Sequence, residues 1–123
     1  MFFPTIQEVL AIQRRLIEEF GGIHGIRDWG ALESAFLAAE QRAYYEQAGL
    51  SVCAATYTYH LTKTHAFLDG NKRLAAAVAE IFLEMNGVSL GATNDQLVDF
   101  FLGIATGTIS RETVECQFSE WIL

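Results

Sequence analysis

Hydrophobic residues recur every three to four positions along most of this chain, which is the period of the α-helix. The first such segment opens with Thr5 and Glu8, whose Thr-x-x-Glu spacing is that of a capping box. Apolar residues continue at helical spacing to Phe20, where Gly21-Gly22 provides a typical helix end. The pattern therefore predicts a first helix from about Thr5 to Phe20.

The rest of the chain repeats this pattern, and two of the later segments are apolar nearly all round, which is typical of central, buried helices. The predicted segments are a second helix capped by Asp28, a third over about residues 50–62, a fourth over about 71–86, a fifth from Asn94-Asp95 to Gly107, and a sixth capped by Ser110. We therefore predict an all-α fold, a compact single-domain bundle of about six helices over residues 1–123. The boundary between Tyr44 and Leu50 stays open, and the pattern is compatible with a short strand pair near residues 43–45 or 88–90.

Composition narrows the class of protein. About half of the 123 residues are hydrophobic and one is proline, as in a folded chain with one core. No apolar run reaches the roughly 20 residues of a membrane-spanning helix. The start, residues 1–4, lacks the basic and apolar parts of a signal peptide, so we expect a cytoplasmic protein without a membrane partner. Cys53 and Cys116 form no Cys-x-x-Cys pair, and we expect two buried thiols in a reducing compartment.

The charge is acidic overall, with a formal net charge of −7. Such a chain is poorly suited to coating a nucleic-acid backbone, so we predict no direct nucleic-acid partner. Lys63, Lys72 and Arg73 nevertheless place three of the eight basic residues within one short segment.

That segment, between the two central helices, points to an anion site. Gly70 allows the backbone to approach a ligand closely. Asn71, Lys72 and Arg73 would occupy the first turn of the fourth helix, where free N–H groups favour an anion. Two adjacent cations there oppose the helix dipole, at a cost of a few tenths of a kcal/mol each. A bound phosphate would make the same cations favourable, so the sequence predicts a phosphate site.

His65 and Asp69 add groups suited to catalysis. A histidine takes a proton from a hydroxyl near neutral pH, and a carboxylate beside phosphates holds Mg²⁺. Phe67 alternates with these polar residues, so we expect it to point inward and anchor the loop. Other interpretations remain: a helix-end histidine with a solvated basic face, or a transition-metal hydrolase with His65 and Asp69 as ligands. The second is weak because i,i+4 spacing has meaning only on a helix, and Gly70 follows directly.

Here the sequence resembles the Fic/Doc family. The family pattern His-x-Phe-x-Asp/Asn-Gly/Ala-Asn-Gly/Lys-Arg is matched at every defined position by His65-Ala66-Phe67-Leu68-Asp69-Gly70-Asn71-Lys72-Arg73. Lys72 replaces the glycine of the adenylyl-transferring Fic branch, and Ala76 replaces that branch's second arginine. Both features resemble the Doc (death-on-curing) branch of toxins. The stretches 21–28 and 105–110 are similar to that branch as well.

The resemblance implies a six-helix fold with the motif between two central helices, and a kinase activity. Doc-type toxins transfer the γ-phosphoryl group of ATP to a threonine of elongation factor Tu, which halts translation. A Phd-like antitoxin blocks them by binding as a helix in a groove, for which residues 1–3 or 97–101 are candidates here. The implied roles are a general base for His65, Mg²⁺ binding for Asp69, and phosphate or nucleotide contacts for Lys63, Gly70, Asn71, Lys72 and Arg73.

One departure leaves alternatives open. Doc motifs usually continue with threonine, whereas this chain has Leu74. Fic-type protein adenylylation, or an antitoxin-binding module that has lost its chemistry, therefore stands beside the kinase hypothesis. The Ser/Thr-x-x-x-Glu-Gly/Asn signature of internally inhibited Fic proteins is missing from the sequence, which fits inhibition by a separate antitoxin.

Overall fold

The computed structural model describes residues 1–122, and over this range the chain forms six α-helices. These are α1 (Ile6–Phe20), α2 (Trp29–Glu46), α3 (Leu50–Lys63), α4 (Asn71–Met85), α5 (Asn94–Thr106) and α6 (Arg111–Trp121). The predicted all-α fold is thus confirmed, while Leu123, the last residue of the predicted domain, lies outside the described residues. Among residues 1–122, no helix is both long enough and apolar enough to cross a membrane.

Side-chain caps set the starts of four of the six helices within residues 1–122. Thr5 and Glu8 form the predicted capping box of α1, and the Asp28 carboxylate accepts a hydrogen bond from the Ala31 N–H at 3.0 Å. Ser110 caps α6 in the same way. A second capping box, which the sequence analysis missed, places the cap of α5 at Thr93.

Helix α3 forms the centre of the bundle, packing against α2, α4 and α6 and less extensively against α5. Most of its residues are buried on all sides, in agreement with the apolar pattern. The largest buried side chains are Tyr57 on α3 itself, Phe82 on α4 and Phe118 on α6. Helix α1 packs on α4, so α4 lies between the centre and α1. The loop that joins α3 to α4 therefore starts and ends on buried, well-supported helices.

Two expectations fail. Residues 43–45 lie inside α2, and Leu90 forms only an isolated antiparallel bridge with Ile122, so neither proposed strand pair forms within residues 1–122. Cys53 is buried as predicted, but Cys116 is exposed. The buried face of α6 runs through Val114 and Phe118, and a residue two positions after Val114 points to the opposite side.

Candidate active site

The loop between α3 and α4 changes direction at two residues with left-handed backbone. His65 has φ 49°, and Gly70, which precedes α4, has φ 76° and ψ 16°. Glycine adopts this conformation freely, whereas a histidine there is strained by about 1 kcal/mol or more. The turn at His65 leaves its side chain exposed at the surface of the bundle.

The middle of this loop is fixed to the core and to α4. Phe67 is 3 % exposed, and its backbone N–H donates to the Asn71 side-chain oxygen at 3.0 Å. The Asn71 amide nitrogen in turn donates to the Phe67 carbonyl, also at 3.0 Å. The side chain of Asn71 is therefore occupied in joining the loop to the first turn of α4.

A second element supports the loop from outside. The connector between α1 and α2 (residues 21–28) runs alongside it and forms an antiparallel bridge between Ile26 and Phe67. The Arg27 N–H donates to the Ala66 carbonyl at 2.7 Å. The connector thus brings Arg27 to the loop, although the two segments are far apart in sequence.

Together these elements form a cleft of about 450 Å³. It is lined by Arg27, His65, Leu68, Asp69, Gly70, Asn71, Lys72 and Arg73. The structure therefore brings six of the predicted site residues together and adds Arg27, which sequence reasoning missed. Lys63 is not among the lining residues, and its Nζ lies toward Gly107, 3.9 Å from where a Cβ would sit there. In the sequence, Arg27 is marked only by its position beside Asp28 in the glycine-rich stretch, and this position does not predict a contact with the loop between α3 and α4.

The cleft is electrostatically suited to an anion. Arg27, Lys72 and Arg73 line it, the first turn of α4 contains no acidic residue, and Gly70 offers no side-chain cap. No acceptor within the described part of the chain meets the N–H groups of residues 71–73. These groups and the helix dipole therefore converge on the same space as the basic side chains.

Asp69 is the carboxylate of this cleft. Its two oxygens accept long or local hydrogen bonds, from the Ile23 N–H at 3.4 Å and from the Gly70 N–H at 3.1 Å. Within residues 1–122, no three His, Cys, Asp or Glu side chains cluster closely enough to form a metal site of their own. A single carboxylate beside an anion site suits Mg²⁺, which commonly takes one or two carboxylates and completes its shell with phosphate oxygens and water.

Leu74, where the sequence departs from the Doc pattern, points away from the cleft. It is 1 % exposed and belongs to the hydrophobic core. The missing hydroxyl therefore concerns core packing, and the cleft is built without this side chain.

A second concavity lies next to the cleft, between α1, α4 and α5. This apolar groove has a volume of about 650 Å³ and is lined by Leu16, Phe20, Lys72, Arg73, Ala76, Ala77, Glu80, Leu97, Val98, Phe101 and Leu102. Lys72 and Arg73 line both the groove and the cleft, and the Arg73 guanidinium lies 4.7 Å from the centre of the Phe20 ring. The large apolar side chains Val98, Leu102 and Phe20 are exposed along it, with Val98 65 % exposed. A concave apolar surface bordered by charged side chains is the kind of surface to which an amphipathic helix binds.

Comparison with known proteins identifies the family of this chain. The model of the Fic/DOC family matches residues 3–83, so the chain belongs to the Fic/Doc family. Within the family the chain is similar to Protein kinase doc of Escherichia phage P1, with 35 % identity over 109 residues covering 88 % of this chain and 86 % of that protein. It is also similar to Toxin Doc of Mycolicibacterium smegmatis, with 41 % identity over 104 residues covering 81 % and 80 % of the two chains. The resemblance to the Doc branch is confirmed.

Proposed function

We propose that this chain is a Doc-type toxin that acts in the cytoplasm as a protein kinase. It transfers the γ-phosphoryl group of ATP to a threonine of elongation factor Tu and so inhibits translation. The observation that carries this proposal is the cleft that joins His65, Asp69 and the basic first turn of α4. The names of the two relatives, a protein kinase and a toxin, support it.

The phosphates of ATP bind at the start of α4. The N–H groups of the first turn and the side chains of Lys72 and Arg73 supply the donors, and Gly70 permits close approach of the backbone. Because the Asn71 amide is already bonded to Phe67, Asn71 contributes its backbone N–H and holds the loop.

Asp69 and Lys63 are the two other charged residues predicted for the phosphate site. Asp69 would hold Mg²⁺, which would neutralise charge on the phosphates. Lys63 stands apart from these residues, because it does not line the cleft and its Nζ lies toward Gly107.

His65 acts as the general base on the incoming threonine. One imidazole nitrogen takes the hydroxyl proton while the threonine oxygen forms a bond to the γ-phosphorus. The bond between that phosphorus and the bridging oxygen breaks, and ADP leaves with the electron pair. The exposed side chain of His65 and its place in the cleft are what this step requires, since the protein substrate must approach from solvent.

Lys72 and Ala76 favour γ-phosphoryl transfer over adenylylation. The adenylyl-transferring branch has glycine and arginine at these positions. Here Lys72 and Arg73 line the cleft, whereas Ala76, one turn after Lys72, lies on the wall of the apolar groove and supplies no further cation.

The test uses purified protein, elongation factor Tu and ATP labelled at either the α- or the γ-phosphorus. Label from the γ position alone is expected on a threonine, and a His65→Ala variant should lose about 10²–10⁴-fold in rate. Label from the α position would establish Fic-type adenylylation instead. No transfer of either label, together with unimpaired growth of bacteria that express the protein, would favour a module without chemistry.

The apolar groove is the binding site we propose for a Phd-like antitoxin. Of the two candidate regions, residues 97–101 on α5 contribute Leu97, Val98 and Phe101 to its wall. An amphipathic helix would bury its apolar face against Val98, Leu102 and Phe20, as in other helix-in-groove complexes. Because Lys72 and Arg73 border the groove as well as the cleft, an acidic residue on that helix would reach the cations that bind the phosphates.

A further inference from the structure

Asp69 is held from two sides by residues outside the motif. Gln13 on α1 is 5 % exposed, and its Nε2 donates a hydrogen bond of 2.7 Å to the Asp69 main-chain carbonyl. On the other side the Ile23 N–H donates to Asp69 Oδ2 at 3.4 Å. Both the backbone and the carboxylate of Asp69 are therefore contacted by the segment that runs from α1 into the connector.

The connector packs closely against the side of the Asp69 carboxylate that faces away from the cleft. A Cβ on Gly22 would lie 2.8 Å from Asp69 Oδ2, closer than carbon and oxygen can approach. A Cβ on Gly70 would lie 3.4 Å from both Gln13 Nε2 and Ile17 Cδ1, which is ordinary van der Waals contact, so the tight position is Gly22. Any side chain at position 22 would consequently have to displace the carboxylate or the connector.

The Gln13 amide makes no hydrogen bond among residues 1–122 other than the one to Asp69. It occupies a buried position of α1 between Val9 and Ile17, where an apolar side chain would complete the core. Its Oε1 is buried without a hydrogen-bond partner among residues 1–122, which is unfavourable for stability. The distinctive contribution of this side chain is its hydrogen bond to Asp69.

We infer that Gln13 and Gly22 are positioning residues that fix Asp69 and thereby set the affinity of the cleft for the divalent cation that accompanies ATP. This inference rests on the proposed function. Groups that orient a metal ligand from outside its coordination shell typically change metal affinity by about 10- to 100-fold when they are lost.

The test compares variants by two readouts. Gln13→Met keeps the length of the side chain but has no N–H to donate, and Gly22→Ala adds the clashing Cβ. For both we expect the Mg²⁺ concentration at half-maximal kinase activity to rise about tenfold. Activity at saturating Mg²⁺ should recover most of the wild-type value. Binding of Mn²⁺ in the presence of ATP, measured by electron paramagnetic resonance, should weaken by a similar factor.

Two matched controls separate positioning from stability. Val9→Ala removes buried volume from the same face of α1, so its melting temperature should fall without a change in Mn²⁺ affinity. Gly21→Ala introduces comparable backbone strain at φ 85°, but a Cβ there meets no atom within 4 Å. If Gln13→Met fails to fold, the comparison of Gly22→Ala with Gly21→Ala decides the question.

The possible outcomes distinguish a failure of this inference from a failure of the proposed function. Unchanged Mn²⁺ affinity in folded Gln13→Met or Gly22→Ala, with a wild-type protein that binds Mn²⁺ and ATP and phosphorylates its target, would overturn the inference alone. A wild-type protein that binds neither would overturn the proposed function and the inference with it.

Discussion

Replacing Lys72 by glutamate should make the free protein more stable and at the same time prevent it from binding ATP. Lys72 is the second residue of α4, in a first turn that has no acidic residue and no side-chain cap. A cation in this position is unfavourable and an anion favourable, each by about 0.3–1 kcal/mol. Reversing the charge should therefore add roughly 0.6–2 kcal/mol to the free energy of unfolding.

The size of this effect is measurable by calorimetry. For 123 residues, an unfolding entropy of about 2.1 cal/mol/K per residue gives roughly 0.26 kcal/mol/K, so the melting temperature should rise by about 2–8 °C. The wild-type protein should instead gain about 2.7 kcal/mol at an ATP concentration 100 times the dissociation constant. With ATP and Mg²⁺ present, the order of the two melting temperatures should thus reverse.

Two further variants control for other effects of charge. Lys72→Gln should show about half of the stabilisation. Arg14→Glu changes the net charge by the same amount at an exposed position inside α1, away from the cleft, and should not be stabilised. A Lys72→Glu protein that is less stable than wild type without ATP, or that gains as much stability from ATP, would refute the reasoning about this helix terminus.

Three other predictions follow from specific contacts. Asn71→Ala removes both hydrogen bonds to Phe67 and should lower the free energy of unfolding by roughly 1–3 kcal/mol in urea titrations, whereas Asn71→Asp, which keeps the acceptor, should lose less. Burial, together with two nearby arginines, lowers the pKa of His60. The contribution of the neutral His60 side chain to stability is therefore present above the ordinary pKa of about 6.5. It is lost as the pH falls through the lower pKa of the folded state. His60→Gln should therefore show a shallower loss of stability below pH of about 6.5, and identical pH profiles would contradict this. Val98→Asp should weaken binding of a Phd-like helical peptide by more than tenfold in isothermal titration while phosphorylation continues; unchanged peptide binding would exclude this groove as its site.

The helices were predictable because their signals are local. Thr5, Asp28 and Ser110 act as caps within one turn, and the apolar period fixes the buried faces without knowledge of the partners. The end of α2 was not predictable, because it terminates at Gln47 with φ 54° and lacks the usual glycine. Cys116 was misplaced because an apolar residue in a helix is buried only if it lies on the inner face.

The candidate site likewise contains residues that local sequence predicts and residues that only tertiary packing brings together. His65 to Arg73 form one continuous motif, so their proximity follows from the sequence itself. Arg27 lies in the connector and Gln13 on α1. Gln13 donates a hydrogen bond to the Asp69 carbonyl although the two residues are 56 positions apart. Such contacts depend on how α1 packs on α4, which no local pattern specifies. Lys63 does not line the cleft although it lies two positions before His65 in sequence, and its phosphate contact stays a prediction.

The most direct test of the central claim is mass spectrometry of elongation factor Tu after incubation with the purified protein, ATP and Mg²⁺. The account predicts a single threonine with an added phosphate group, formed by the wild-type protein and lost with His65→Ala. An added adenosine monophosphate on that factor, or phosphorylation that persists at full rate in His65→Ala, would contradict it.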